Sequence, residues 1–238
     1  MGCCKSVQHT YQPYPQIGYL AKNINPTLKN LQQQIGTGLD HIYCYIVKSV
    51  KNKNSSLQQQ GCGPNWQGGL ITLCTCKHFL RTFLDLDSWK GTWIAGFTTA
   101  DAGNGSNAIV YLMRVKKAFD SHHDMWYALP NETRWAKDAH RKGNVFGDIY
   151  RPKGKLTDDK KFSADSYYEP CDLHAHRKDN GWHNDLDYFH YKRHAALLIG
   201  AEKNSFLWSK PTIKAKFRLH RGQKKMLFAD LYNHLCEK

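Results

Sequence analysis

Acidic residues are scarce in this sequence: 20 Asp and Glu stand against 34 Lys and Arg, for a formal charge of +14. A surplus of that size attracts polyanions such as DNA, RNA or an anionic membrane, with fast, salt-sensitive association. Long apolar runs are also missing. None approaches the roughly 20 residues that a membrane-spanning helix needs, and the start of the chain lacks the apolar stretch of a secretory signal. No transmembrane segment is therefore expected.

Several signatures are absent as well. There is no G-x-x-x-x-G-K-[ST] phosphate loop, no C-x-x-C pair, and no H-x-E…P-C-x-x-C deaminase pattern. The eight cysteines (Cys3, Cys4, Cys44, Cys62, Cys74, Cys76, Cys171 and Cys236) form no tight disulfide framework, and a chain of this size does not need one. Reduced thiols and a cytoplasmic location are expected, nuclear or membrane-attached in a eukaryote. Cys74 and Cys76 would share a strand face and could ligate zinc together with Cys44 or Cys62. Without a C-x-x-C pair, neither a metal nor any other cofactor is expected. The opening MGCCKS fits an N-myristoylation pattern, so Gly2 and Cys3 form a candidate lipid anchor if the source is eukaryotic.

What remains is a folding composition, 41% hydrophobic and 13% aromatic. Residues 1–40 read as an N-terminal extension with a short helix at Asn25–Gln34, and residues 41–238 as a single domain. His41–Val50 alternates as a strand with an aromatic second face, and Lys51–Gly69 reads as a long loop. Leu70–Cys74 is a short strand followed by a helix through Leu84. Gly91–Thr98 and Asn107–Val115 are core strands joined as a hairpin by the Gly- and Asn-rich Asp101–Ser106. Asn131–His140 reads as a helix, Asp148–Asp172 as a second polar loop, and Ala195–Gly200 as a buried strand. Leu227, Leu231 and Leu235 at i, i+4, i+8 predict an amphipathic helix over Gly222–Glu237. The order predicts an α+β fold with a mixed or antiparallel sheet and flanking helices.

Three regions carry candidate chemistry. In Gly63–Lys77 (GPNWQGGLITLCTCK), glycines allow close backbone approach, Asn65 can grip a base edge, Trp66 offers a stacking face, and Lys77 adds charge. Cys171–His194 holds His174, His176, His183, His190 and His194 with four aspartates, a density suited to activating water or stabilising charge. Trp182 in that segment could wall a pocket for an extruded base. In KAKFRLHR, the side chains of Lys214, Lys216, Arg218 and Arg221 form a candidate phosphate-contact surface.

In order, IYCYIVKS, GPNWQGGLITLCTCK, WIAGF, IVYLMRV, GDIY, the His-rich segment and L-L-I-G…F-x-W resemble the second family of nucleotide-modification-associated domains, over roughly residues 42–211. WIAGF and IVYLMRVKKAF are also similar to central strands of PUA-like barrels, an analogy at fold level. The family is inferred to act on modified bases in phages, mobile elements and their hosts. Its matching positions here are Asn65, Thr75, Cys76, Lys77, Gly96, Arg114, Asp148, His174 and His176. The resemblance implies a partner, DNA carrying modified bases, and an enzyme that processes such a base, with excision by a DNA glycosylase in phage–host conflict as the leading expectation. The alternative is a non-catalytic reader of modified bases. The expected catalytic residues are His174, His176 and Asp148. The expected base contacts are Asn65, Trp66, Thr75, Lys77 and Trp182.

Overall fold

Short apolar runs punctuated by Gly, Asn and Pro become strands, and the longest of them meet in one sheet. The computed structural model describes residues 12–13, 23–35, 40–219 and 222–237. In chain order the elements are β1 (Gln12–Pro13), α1 (Leu28–Ile35), β2 (His41–Ile46), β3 (Val50–Lys53), β4 (Ser56–Gln59), β5 (Thr72–Leu73), α2 (His78–Arg81), α3 (Leu86–Trp89), β6 (Trp93–Phe97) and β7 (Ile109–Phe119). They continue with α4 (His122–Ala128), α5 (Asn131–Lys137), α6 (His183–Asp187), β8 (Phe189–His190), β9 (Arg193–His194), β10 (Leu197–Leu207), β11 (Ile213–Ala215), β12 (Gln223–Leu227), α7 (Phe228–Asn233) and β13 (Leu235–Glu237).

Six strands pair in the order β12-β2-β6-β7-β10-β5. β2 and β6 run parallel and the other pairs are antiparallel. The fold is thus α+β with a mixed sheet. The described strands do not close into a barrel: β12 and β5 form the two edges. The β6–β7 hairpin forms as the sequence predicts. Gly96 is required within it, because a Cβ there would lie 2.3 Å from the Tyr111 ring. That closeness seats Tyr111 so that its hydroxyl meets that of Tyr45 at 2.7 Å.

Period-2 alternation in the central strands gives the sheet two apolar faces. One packs Tyr43, Tyr45, Ile94, Tyr111 and Met113 beneath Trp66, Leu80 and Trp89. The other packs Ile42, Cys44, Trp93, Phe97 and Leu112 against Leu31 of α1 and Phe228 and Leu231 of α7. Helix α1 is started by Thr27, whose hydroxyl accepts from the Asn30 N–H at 3.1 Å, the usual N-cap arrangement.

Two predicted elements differ. The loop expected at 51–69 begins as a hairpin, β3–β4. Asn54 and Ser55 at its tip have φ of 53° and 61°, as a two-residue I′ turn demands. The helix expected at 222–237 is a strand, a short helix and a second strand. β12 pairs with β2 and β13 with β11, and these ladders satisfy main-chain groups that a continuous helix would leave open on the sheet edge. Among the described residues, no helix is long and apolar enough to cross a membrane. Gly2, Cys3 and Arg221 lie outside the described residues.

Candidate functional site

Asn65 brings the two halves of the site together. Its main chain bridges that of Thr72, with Thr72 N–H donating to Asn65 C=O at 2.8 Å. Its side-chain amide donates to the Phe146 carbonyl and accepts from Lys137. This clamp lays the loop carrying Cys62 alongside the segment carrying Thr75 and Cys76. Gln59 secures the Cys62 loop from below, donating to the carbonyls of Gly61 at 2.6 Å and Pro64 at 3.0 Å. Arg81, fully buried on α2, fixes the other half by donating to the Cys76 carbonyl at 2.9 Å and to those of Ala195 and Ala196.

The sulfurs of Cys62 and Cys76 are 3.8 Å apart, and Thr75 Oγ1 lies 3.3 Å from Cys62 Sγ. Facing them is His176, in the 3-10 turn Ala175–Asn180. The Cys62 and Cys76 sulfurs and a ring nitrogen of His176 all lie within 4.8 Å of one another. Behind the imidazole stands Asp185 of α6, whose side chain is 0% exposed. Its Oδ2 meets His176 Nδ1 at 2.5 Å and accepts from the Tyr150 hydroxyl at 2.5 Å, and its Oδ1 meets His78 Nε2 at 2.6 Å. A buried carboxylate with three such partners satisfies the requirement that a desolvated charge be paired and hydrogen-bonded.

The electrostatics follow from these contacts. Burial alone would raise the Asp185 pKa, but hydrogen bonds from His176 and His78 hold it down at about 2. Burial alone would lower that of His176, yet its bonds to Asp185 and Cys76 carry it up to about 10. The Cys76 thiol is held well below its ordinary range by its hydrogen bond with Cys62, against burial, and by the neighbouring His176. Cys62 moves the opposite way, through that same hydrogen bond and burial. The cluster opens into a cavity of about 720 Å³ whose wall includes Tyr45, Lys48, Thr75, Lys77, His78 and Ala175. Among the described residues, no carboxylate lines this cavity.

Of the residues expected from sequence, His176, Thr75 and Lys77 meet here. The others are placed elsewhere. Asn65 is 1% exposed and spends its amide on the clamp. Trp66 packs in the core on the first face of the sheet and Trp182 packs with Tyr150 and Tyr167, and neither lines the cavity. Asp148 is buried, accepting from the Thr72 hydroxyl at 2.9 Å, and does not face the cavity. His174 is also buried, its ring against Tyr150 and His176; burial and the His176 charge lower its pKa to about 4. Lys214 is 9% exposed, with its ammonium on the Asn104 carbonyl, which removes it from a phosphate surface. Lys216 and Arg218 remain exposed. Cys74 and Cys76 do not share a face: β5 ends at Leu73, and Cys74 turns into the core against Met125.

Sequence reasoning missed His78 and Tyr150 as site residues, held Asp185 only as one of four aspartates in the His-rich segment, and considered Cys62 only as a possible zinc ligand. The Asp-rich spacing of 171–194 was the available signal for Asp185, but nothing local singles it out from Asp172, Asp179 or Asp187. Comparison with family models, curated proteins and solved structures finds no match to this chain. The family resemblance therefore rests on its short motifs and their order alone.

Proposed function

We propose that this protein is an enzyme that processes a modified base in DNA, drawing the base into the cavity beside Cys76 and His176 and hydrolysing a bond of the base or its substituent. The observation that carries this reading is the convergence of two sulfurs and an imidazole, backed by a buried carboxylate, on the wall of a cavity of about 720 Å³. Burying Asp185 among two imidazoles and a phenol is expensive in a fold that needs only packing, and strongly perturbed groups in a cleft are the mark of a functional site. A non-catalytic reader needs aromatic walls and amides, and the two tryptophans expected to supply them are in the core.

The DNA partner is supported by the +14 charge and by Lys48 and Lys77 at the cavity. An extruded nucleotide needs a pocket that holds its base away from the stack, and this cavity has the volume for it. Excision at the sugar would be helped by a carboxylate facing the reacting carbon, and among the described residues the cavity wall has none. Attack on an electrophilic carbon of the base or its substituent suits this chemistry better. The nucleophile comes from the Cys62–Cys76–His176 end. His78, the second imidazole on Asp185, also lines the cavity and is placed to protonate the leaving group.

The test is incubation with DNA carrying hypermodified bases, followed by mass analysis of released fragments and of the remaining nucleosides. A shortened base left in the strand supports substituent hydrolysis, and a free base with an abasic site would restore excision. Cys76→Ala and His176→Ala should each lower the rate by about 10²–10⁴-fold while leaving the circular dichroism spectrum unchanged. Turnover unaffected by both substitutions would overturn the assignment.

A further inference from the structure

We propose that Cys62, Cys76 and His176 bind one zinc ion, with the fourth coordination position open to the cavity. The ion's catalytic role, activating water, rests on the hydrolase reading above; its binding stands on geometry alone.

With Zn–S bonds of about 2.3 Å, two sulfurs on a tetrahedral ion sit about 3.8 Å apart. Cys62 and Cys76 Sγ are 3.8 Å apart, far beyond the roughly 2.05 Å of a disulfide. A Zn–N bond of about 2.0–2.1 Å sets the sulfur–nitrogen edge near 3.5 Å. All three ligand atoms already lie within 4.8 Å of one another, so the imidazole need close by no more than about 1.3 Å.

The surroundings fit the same assignment. His176 spends Nδ1 on Asp185 at 2.5 Å, which leaves Nε2 for the sulfurs. A metal-binding imidazole commonly gives its other nitrogen to a carboxylate in this way, which fixes the ring and strengthens it as a ligand. Asp185 is itself held by His78 and Tyr150. Thr75 Oγ1 stands 3.3 Å from Cys62 Sγ, in place to support that sulfur. Among the described residues the group has three members and no fourth side-chain ligand. Structural zinc sites are closed by four protein ligands, whereas three ligands and an open position define the catalytic class. Here the open side is the cavity, where Cys76 and His176 form part of the wall.

Zinc lowers the pKa of a bound water to near 7, which supplies hydroxide at neutral pH. In the hydrolysis, the water oxygen bonds to the base carbon that carries the substituent, the bond from that carbon to the leaving amine breaks, and the amine departs with the proton given up by the water. No oxidant or further reactant is consumed.

The experiment uses the full chain purified without chelator. Metal analysis should find one equivalent of zinc per chain, and cobalt(II) should give the intense near-ultraviolet thiolate band and the visible bands of a four-coordinate ion. Cys62→Ala, Cys76→Ala and His176→Ala should each lose the bound metal, and Asp185→Asn should weaken binding by about 10–100-fold. Cys44→Ala and Cys236→Ala should keep it. A folded wild-type chain that takes up neither zinc nor cobalt overturns the proposal, as does full metal retention in a Cys62→Ala, Cys76→Ala double variant. Base processing that persists after metal removal overturns the ion's catalytic role and makes Cys76 thiolate the nucleophile. Stoichiometric zinc without any base processing upholds the metal site and refutes the substrate reading instead.

Discussion

Lys137 and Asp148 are both buried, and neither reaches the cavity. Burial lowers the Lys137 pKa to about 8 and raises that of Asp148 to about 6, each shift partly offset by the opposite charge of the other. Lys137 also donates to the side chain and main chain of Asn65, so the pair supports the clamp that joins Cys62 to Cys76. Lys137→Met removes two hydrogen bonds from the Asn65 clamp and should lower stability by about 1–3 kcal/mol, as urea denaturation can measure. His122 gives a pH signature. Burial lowers its pKa to about 3, and its Nδ1 accepts from the Tyr150 N–H at 3.1 Å, which requires the unprotonated nitrogen. Its unfolded value, near 6.5, is higher, so the unfolded chain takes up the proton first. The stability from this residue is complete above about pH 6.5 and falls toward pH 3 by up to about 1.4 kcal/mol per pH unit. His122→Asn should flatten that slope in urea titrations between pH 6.5 and 4.5; an unchanged slope would assign the acid sensitivity elsewhere.

Helix α7 shows where element and sequence part ways. It has six residues, yet Leu231 and Phe228 from it are buried in the second core. Leu231→Ala should therefore cost about 2–5 kcal/mol in denaturant melts while leaving bound metal unchanged, since the site lies on the opposite face of the sheet. The i, i+4, i+8 leucines that suggested one long helix are spread over a strand end, a helix and a second strand. Leu231 and Leu235 pack on one core from a helix and a strand while Leu227 is half-buried at the end of β12, and periodicity alone cannot separate that case from one helix. The β6–β7 hairpin was legible because its turn chemistry and apolar runs are both local. The site was legible in part for the opposite reason. Thr75, Cys76 and Lys77 are contiguous and carry an unusual composition, so they stand out. Cys62 depends on the Asn65–Thr72 bridge, and His176 arrives from a hundred residues away. Asn65 and Trp66 illustrate the reverse error: residues with the right chemistry for a base are used to clamp and fill the fold, and only burial distinguishes the two uses.

At the scale of the whole molecule, the charge excess is the broadest clue and the least specific. Lys216→Ala with Arg218→Ala should flatten the dependence of log affinity for DNA on log salt by up to about two ion equivalents. Lys214→Ala should leave it unchanged, because its ammonium is engaged by the Asn104 carbonyl. A loss of slope with Lys214→Ala would contradict that placement. The central claim is that the cavity receives the modified base, and phosphate contacts elsewhere position the strand. Ala175 is exposed and lines the cavity, so Ala175→Trp puts an indole in the space the base would occupy. The most direct measurement is the affinity of wild type and Ala175→Trp for two oligonucleotides that differ by a single modified base, with metal content checked in both proteins. The wild type should prefer the modified strand, and the variant should bind both strands with the affinity of the ordinary one while keeping its metal. A variant that retains the full preference for the modified base would place base recognition outside this cavity and contradict the account.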